Sequence, residues 1–401
     1  MLDATDSLPA NSVVCLMAPT ASGKTALAYE LYDSGRYELI SVDSALIYRD
    51  MNIGTAKPTA AELRRYPHHL VDIIDPTESY SVAEFVSDVK HLIEDCHKKG
   101  KIPLLVGGTM MYYMALIEGL SPVPDSDESV RAQVEQWRQL EGIEALYDYL
   151  AKVDAISHKR LKPADTQRIT RAVEVYQQTH IPISEWQRQP KQALAHNPDQ
   201  RWQVLSVLPD RPWLHKRIAQ RLDIMWNEGL VAEVIGLLER YALTPNMPSM
   251  RCVGYRQVLE YLVRTQHPIF EQPHLDKEHF YSAFTSSAFA NNDDEQNRIL
   301  KADDSKLALN VIKTDSKAQQ QQQALACEAM QNKALYATRQ LAKRQYTWLR
   351  KLSKAASFET CQATDTIAAD STSHTNIPAD IATKLVTKSF ISIEQVREYL
   401  L

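Results

Sequence analysis

The chain has 401 residues, 45 Lys+Arg against 50 Asp+Glu for a formal charge of −5, and 44% apolar residues. That is enough for two or three domains with a core each, and it excludes a fibre or a wholly disordered chain. The slight acidic balance does not mark a nucleic-acid binder, so local basic patches decide that question. Cys15, Cys96, Cys252, Cys327 and Cys361 are scattered without CxxC spacing, which argues against a disulfide framework or a structural zinc site.

Short apolar runs at residues 13–17, 39–42, 70–74 and 102–106 read as buried strands, with helical patterns between them at 25–31 and 82–96. This alternation predicts an α/β fold, a parallel sheet covered by helices. Ser121-Pro122-Val123-Pro124 reads as a hinge. The core's first part is then residues 11–120, and a helical domain is inserted at 121–200. The core resumes over 201–264 with a strand at 202–208 and helices at 213–241 and 255–263. Residues 265–329, with Asn291-Asn292-Asp293-Asp294-Glu295 and a glutamine run at 319–323, predict a flexible low-complexity insertion. A basic amphipathic helix at 330–352 is expected to return to the core. Residues 353–401 read as a polar tail with one last helical candidate at 393–400. No apolar run approaches the ~18 residues of a membrane span, and Asp3 and Asp6 are unlike a signal peptide, so a cytoplasmic monomer without membrane contact is expected.

Residues 18–25 carry the most chemistry. Ala18, Pro19, Thr20, Ala21, Ser22, Gly23, Lys24 and Thr25 follow an apolar strand and open a helix, the context a phosphate-binding loop needs. Successive backbone N–H groups and the helix N-terminus favour an anion there. Lys24 would neutralise the terminal phosphate, and the Thr25 hydroxyl would hold magnesium. One letter departs from G-x-x-x-x-G-K-[ST], since Ala18 stands at the first glycine. If that position needs positive φ, alanine costs roughly 1 kcal/mol or somewhat more; otherwise it costs little. Nucleotide hydrolases usually place an acid at the end of a second apolar strand. Here Leu104-Leu105-Val106 ends in Gly107-Gly108-Thr109, and the acid at a strand end is Asp43. A plain turn or helix-cap role for Asp43 remains open on these grounds.

Several longer blocks stand in a fixed order. They are residues 19–25, 40–48, 51–58 and 104–109; Gln167-Arg168-Ile169-Thr170-Arg171; Arg251-Cys252-Val253-Gly254-Tyr255-Arg256; and residues 338–345 running into 347–350. Together they resemble the tRNA dimethylallyltransferase (tRNA isopentenyltransferase) family over residues 13–352, the low-complexity stretch excepted. The resemblance implies a P-loop NTPase-like parallel core with an inserted helical tRNA-binding domain. It also implies transfer of a dimethylallyl group from dimethylallyl diphosphate to the exocyclic amine of the adenosine 3′ to the anticodon, with magnesium assisting. The implied catalytic residues are Asp43 as general base, Thr109 in the channel and Arg221 on the diphosphate. The implied tRNA contacts are Asp43, Ser44, Ala45, Leu46, Thr109 and Arg131; Gln167, Arg168, Ile169, Thr170 and Arg171; Arg251, Cys252, Val253, Gly254, Tyr255 and Arg256; and Lys343, Arg344, Gln345, Trp348 and Arg350.

The chemistry suits these residue types. An allylic diphosphate leaves with charge developing on its oxygens, which N–H groups, a lysine, an arginine and magnesium stabilise. An adenine amine is a poor nucleophile that becomes acidic only as its new bond forms, so a base must already be aimed at it. Two other P-loop readings, an ATP-dependent small-molecule kinase and a free-adenylate prenyltransferase, and a non-catalytic RNA-binding protein remain as alternatives.

Overall fold

The computed structural model describes residues 8–285, 316–357 and 385–401. Strands β1 (Ser12–Met17), β2 (Tyr37–Val42) and β4 (Ile102–Gly107) are apolar runs buried along almost their whole length. Strands covered on both faces by helices read this way. With β3 (His68–His69), β5 (Arg201–Val207) and β6 (Leu385–Phe390) they form a six-stranded sheet, order β3-β2-β4-β1-β5-β6, every pair parallel. Register does the positioning: Gly107 lies opposite Met17 on one side and Val42 on the other. The carboxyl ends of β2, β4 and β1 are therefore level neighbours, and whatever follows them must meet in the crevice where such sheets bind ligands.

Alternation along β1 divides two cores. Val13, Cys15 and Met17 join Phe85 and Val89 of α3 (Val82–Lys98) and Tyr113 of α4 (Met110–Ile117). Val14 and Leu16 join Leu27, Ala28 and Leu31 of α1 (Lys24–Asp33). Ser81 and Glu84 form a capping box that fixes where α3 starts. A third core, away from the sheet, is built by α9 (Arg211–Glu228), α10 (Leu230–Arg240) and α11 (Tyr255–Arg264) around Leu230, Tyr255 and Leu259. Between α4 and β5 lie α5 (Glu128–Val153), α6 (Ala155–Arg160), α7 (Thr166–Thr179) and α8 (Ile183–Trp186), with their own core of Leu146, Leu150, Ile169 and Val173.

Four expectations need correction. The strand expected at 70–74 reduces to His68–His69, because the chain turns through left-handed backbone at Leu70 (φ 61°) and Asp72 (φ 55°). The N–H groups of Ile73 and Ile74 then bond to Ile47 O, at 2.9 and 3.1 Å. The low-complexity stretch begins later than residue 265. A short 3-10 turn (Pro268–Glu271), the link after it and α12 (Lys277–Thr285) bury Ile269, Phe270, Leu275 and Phe280 in the third core, so a few bulky anchors replace a periodic pattern. The glutamine run belongs to a long helix, Ser316–Ser357, whereas Asn291 to Glu295 and residues 1–7 lie outside the described residues. The polar tail holds a strand besides its expected last helix: β6 adds to the sheet edge beside β5, and the helix (Ile393–Leu400) buries Ile393 and Val396 against the α1 core. Among the described residues no helix is long and apolar enough to cross a membrane.

Candidate active site

The phosphate loop joins β1 to α1. Ala18 is fully buried, has no positive φ, and its N–H donates to Gly107 O at 3.4 Å. The methyl in place of a first glycine therefore introduces no backbone strain. The left-handed positions are Ala21 (φ 62°) and Gly23 (φ 95°). For an alanine that conformation costs about 1–2 kcal/mol, and neighbours hold it: Arg217 Nε donates to Ala21 O at 2.9 Å, and Thr20 N–H donates to Gln345 Oε1 at 3.1 Å. The Ser22 hydroxyl is buried without a protein partner among the described residues. Lys24 opens α1 and reaches Pro19 O at 3.5 Å. Burial lowers its ammonium to about 8, with Asp43 opposing that shift and Arg221 adding to it.

A cavity of about 570 Å³ opens in front of this loop. Thr20, Ala21, Lys24 and Thr25 line one part of it, and Asp43 and Thr109 line another, from the ends of β2 and β4. One Asp43 oxygen accepts the Ala45 N–H at 2.9 Å, which turns the chain immediately after β2. Thr109 accepts the Ser44 N–H at 3.0 Å and donates to Ser44 Oγ at 3.3 Å, so the two turns are tied together. Arg221 enters from α9; burial pulls its pKa down and the charge of Asp43 pushes it back up. Ile218, Leu222 and Met225 of the same helix give the cavity an apolar wall. Arg251, Cys252, Val253 and Gly254 line it from one side, and Arg344, Gln345 and Trp348 of the long helix from another. Burial first and Asp43 second push the Cys252 thiol up to about 12, so it stays protonated at neutral pH.

The remaining residues expected from the sequence lie elsewhere. Arg131, Gln167 and Arg168 are exposed on the inserted helices, with Arg168 3.5 Å from Asp165. Ile169 is fully buried in that domain's core, so its side chain is closed to RNA. Thr170 Oγ1 donates to Thr166 O at 2.8 Å within α7. Arg171 bonds Ser126 Oγ at 2.7 Å, reaches Pro124 O and pairs with Glu174, fastening the hinge. Tyr255 is also fully buried, its hydroxyl on Glu233 at 2.6 Å, and Arg256 donates to Pro245 O at 2.7 Å with its guanidinium 4.3 Å from the Phe284 ring centre. Both are scaffold groups. Lys343 and Arg350 are exposed on the long helix and do not line the cavity.

Sequence reasoning missed Glu233. Its carboxylate accepts the N–H groups of Asn52, Ile53 and Gly54 at 2.9, 2.7 and 3.1 Å, and so holds the segment that brings Gly54, Thr55 and Ala56 to the cavity. About 180 positions separate these partners, and no local pattern announces such a contact. His68, also in the lining, has Nδ1 2.7 Å from Tyr66 O, and burial lowers its pKa. Among the described residues no three His, Cys, Asp or Glu side chains cluster to hold a metal.

The IPP transferase family model matches residues 46–352. The chain belongs to the IPP transferase family. It is 69% identical over 400 residues to a tRNA dimethylallyltransferase of Psychrobacter cryohalolentis, covering 98% of this chain and 95% of that one. A tRNA dimethylallyltransferase of Acinetobacter baumannii is 46% identical over 354 residues, covering 87% of this chain and 93% of that one. A solved eukaryotic dimethylallyltransferase acting on tRNA superposes with a TM-score of 0.60 at 22% identity, covering 96% of this IPP transferase chain and 75% of its own. That likeness is one of fold.

Proposed function

We propose that this IPP transferase moves a dimethylallyl group from dimethylallyl diphosphate to the exocyclic amine of the adenosine 3′ to the anticodon in tRNA, releasing diphosphate. One observation carries the reading. Lys24, Asp43, Thr109 and Arg221 come from four separate stretches of chain and line a single cavity, which Arg251, Arg344 and Trp348 also line.

The diphosphate end sits against the phosphate loop, where backbone N–H groups and Lys24 meet its oxygens, with Arg221 across from them. The five-carbon tail lies along Ile218, Leu222 and Met225. The adenine leaves the anticodon-loop stack, at a cost of a few kcal/mol that is least in a single-stranded loop, and stacking on a side chain such as Trp348 offsets it. As the amine nitrogen forms its bond to the allylic carbon, the carbon–oxygen bond breaks and its electron pair leaves with the diphosphate. The amine proton passes to Asp43, and Thr109 fixes the turn beside that carboxylate. A hydroxyl beside diphosphate oxygens is a donor set magnesium accepts, so Thr25 would hold the ion, which when bound supplies added charge neutralisation of the leaving group. Arg131, Gln167 and Arg168 on the inserted helices suit the phosphates of the anticodon stem. The enzyme acts as a monomer in the cytoplasm.

The test is direct. The protein is incubated with dimethylallyl diphosphate and an anticodon stem-loop, and the nucleosides are analysed by mass. Gain of one dimethylallyl group on the adenosine 3′ to the anticodon is expected. No transfer, or equal transfer to free AMP, would overturn the reading.

A further inference from the structure

The Gln345 amide lies between the two turns that hold the site's two ends. Its Oε1 accepts the Thr20 N–H of the phosphate loop at 3.1 Å, and its Nε2 donates to Gly108 O at 2.8 Å. The residue is only 7% exposed and its bond to Gly108 is buried, so water is no ready substitute there. Gly108 makes room for it: a Cβ there would lie 2.6 Å from Nε2. From Gly108 the connections continue, since Thr109 N–H bonds to Val42 O at 3.1 Å and Thr109 Oγ1 holds Ser44 next to Asp43. A single carboxamide thus links the left-handed phosphate loop to the turn that carries Thr109 and abuts Asp43.

We infer that Gln345 is a positioning residue that sets the spacing between the diphosphate cradle and the acid end of the cavity, rather than a tRNA contact. The inference rests on the proposed transfer reaction. An amide fits because it accepts and donates at once. A glutamate could accept from Thr20 but would set a carboxylate oxygen against the Gly108 carbonyl, and an asparagine is one methylene short of spanning both bonds. Thr20 N–H is already committed to this contact, so the diphosphate is left to the remaining N–H groups of the loop. When Gln345 is lost, Ala21 loses one of its external restraints and the loop relaxes away from the geometry that faces Asp43.

Gln345→Met keeps the volume and removes both bonds. In steady-state assays it should raise the KM for dimethylallyl diphosphate at least tenfold and lower kcat at least tenfold, while stem-loop affinity measured by fluorescence anisotropy stays within twofold. Gln345→Glu should be as impaired as the methionine variant. Gly108→Ala, which displaces the amide from the other side, should reproduce the defect, and adding Gln345→Met to it should cause little further loss. Kinetic constants within twofold of wild type for Gln345→Met would overturn the inference. So would a tenfold loss of stem-loop affinity with the diphosphate KM intact, which would make Gln345 an RNA contact. If Gln345→Met does not fold, Gly108→Ala decides: a wild-type diphosphate KM and kcat in that variant overturn the inference. Wild-type protein that transfers nothing counts against the reaction itself, whereas the amide's part is still read from diphosphate affinity alone, which the variants should weaken.

Discussion

The parallel core and the inserted helices were both marked by arginine-rich blocks, yet they spend those arginines differently. In the core, Arg221, Arg251 and Arg344 reach one cavity from three distant stretches of chain. In the insertion, Arg171 is absorbed by Ser126, Pro124 and Glu174 at the hinge, whereas Arg131, Arg160, Arg168 and Arg188 lie exposed on the surface. The same contrast divides Arg251 from Arg256, five positions apart in one motif. The first is exposed at the cavity, while the second is half-buried over Phe284. A motif selects positions, and the partner each side chain finds decides whether it serves chemistry or architecture.

Variants can break this division, beginning with the largest effect. Asp43→Ala should lower single-turnover transfer by about 10²–10⁴-fold, the range of a lost general base, with stem-loop binding retained. Equal activity would move the base elsewhere. Arg221→Ala should cost about 10²–10³-fold in kcat, as loss of a preorganised charge on a leaving group does; a change confined to RNA affinity would reassign it.

The pH dependence follows from Lys24. Its ammonium is lowered from the free value of 10.5 to about 8 in the unliganded cavity, and diphosphate binds the charged form. Affinity for the diphosphate should be flat below pH 8 and weaken by up to about tenfold per unit above it, with proton uptake seen by calorimetry in two buffers. The stability sign is opposite. Burying a charged Lys24 costs stability below pH 8, and that cost fades as the pH rises from 8 toward 10.5.

Smaller effects separate the arginines. Arg344→Ala should reduce the salt slope of stem-loop binding by about 0.7, as for one phosphate contact to a single strand. Arg171→Ala should leave the slope alone and destabilise the hinge by about 1–2 kcal/mol through its lost hydrogen bonds, read as a lower Tm. Smallest of all, Arg397→Ala removes the pair with Glu30, at 2.6 and 2.7 Å but 42% exposed on both sides. It should cost under about 1 kcal/mol.

The central strands, the phosphate loop and Asp43 were legible because each is local: an apolar run, a short turn, an acid at a strand end. Once β1, β2 and β4 stand side by side, their ends must converge, and sequence order alone nearly implies it. Other features depend on partners far along the chain. Glu233 grips backbone N–H groups near residue 53, and Gln345 bridges residues 20 and 108. Neither contact leaves a periodic trace. β6 was missed because a short edge strand, half-buried and carrying Lys388, resembles the polar residues around it. Ile169 and Tyr255 sit inside motifs that also carry exposed arginines, and only burial shows that these two face inward.

The pairing of β5 with β6 joins Ser206 to Ser389, 183 positions apart. During synthesis, β5 emerges long before the segment that covers its free edge, and an uncovered strand edge invites pairing with another chain. Such distant contacts also form late in folding. A nascent chain stopped short of residue 385 should therefore depend on a chaperone, and the half of the sheet beside the phosphate loop should be the last to become protease-resistant on the ribosome.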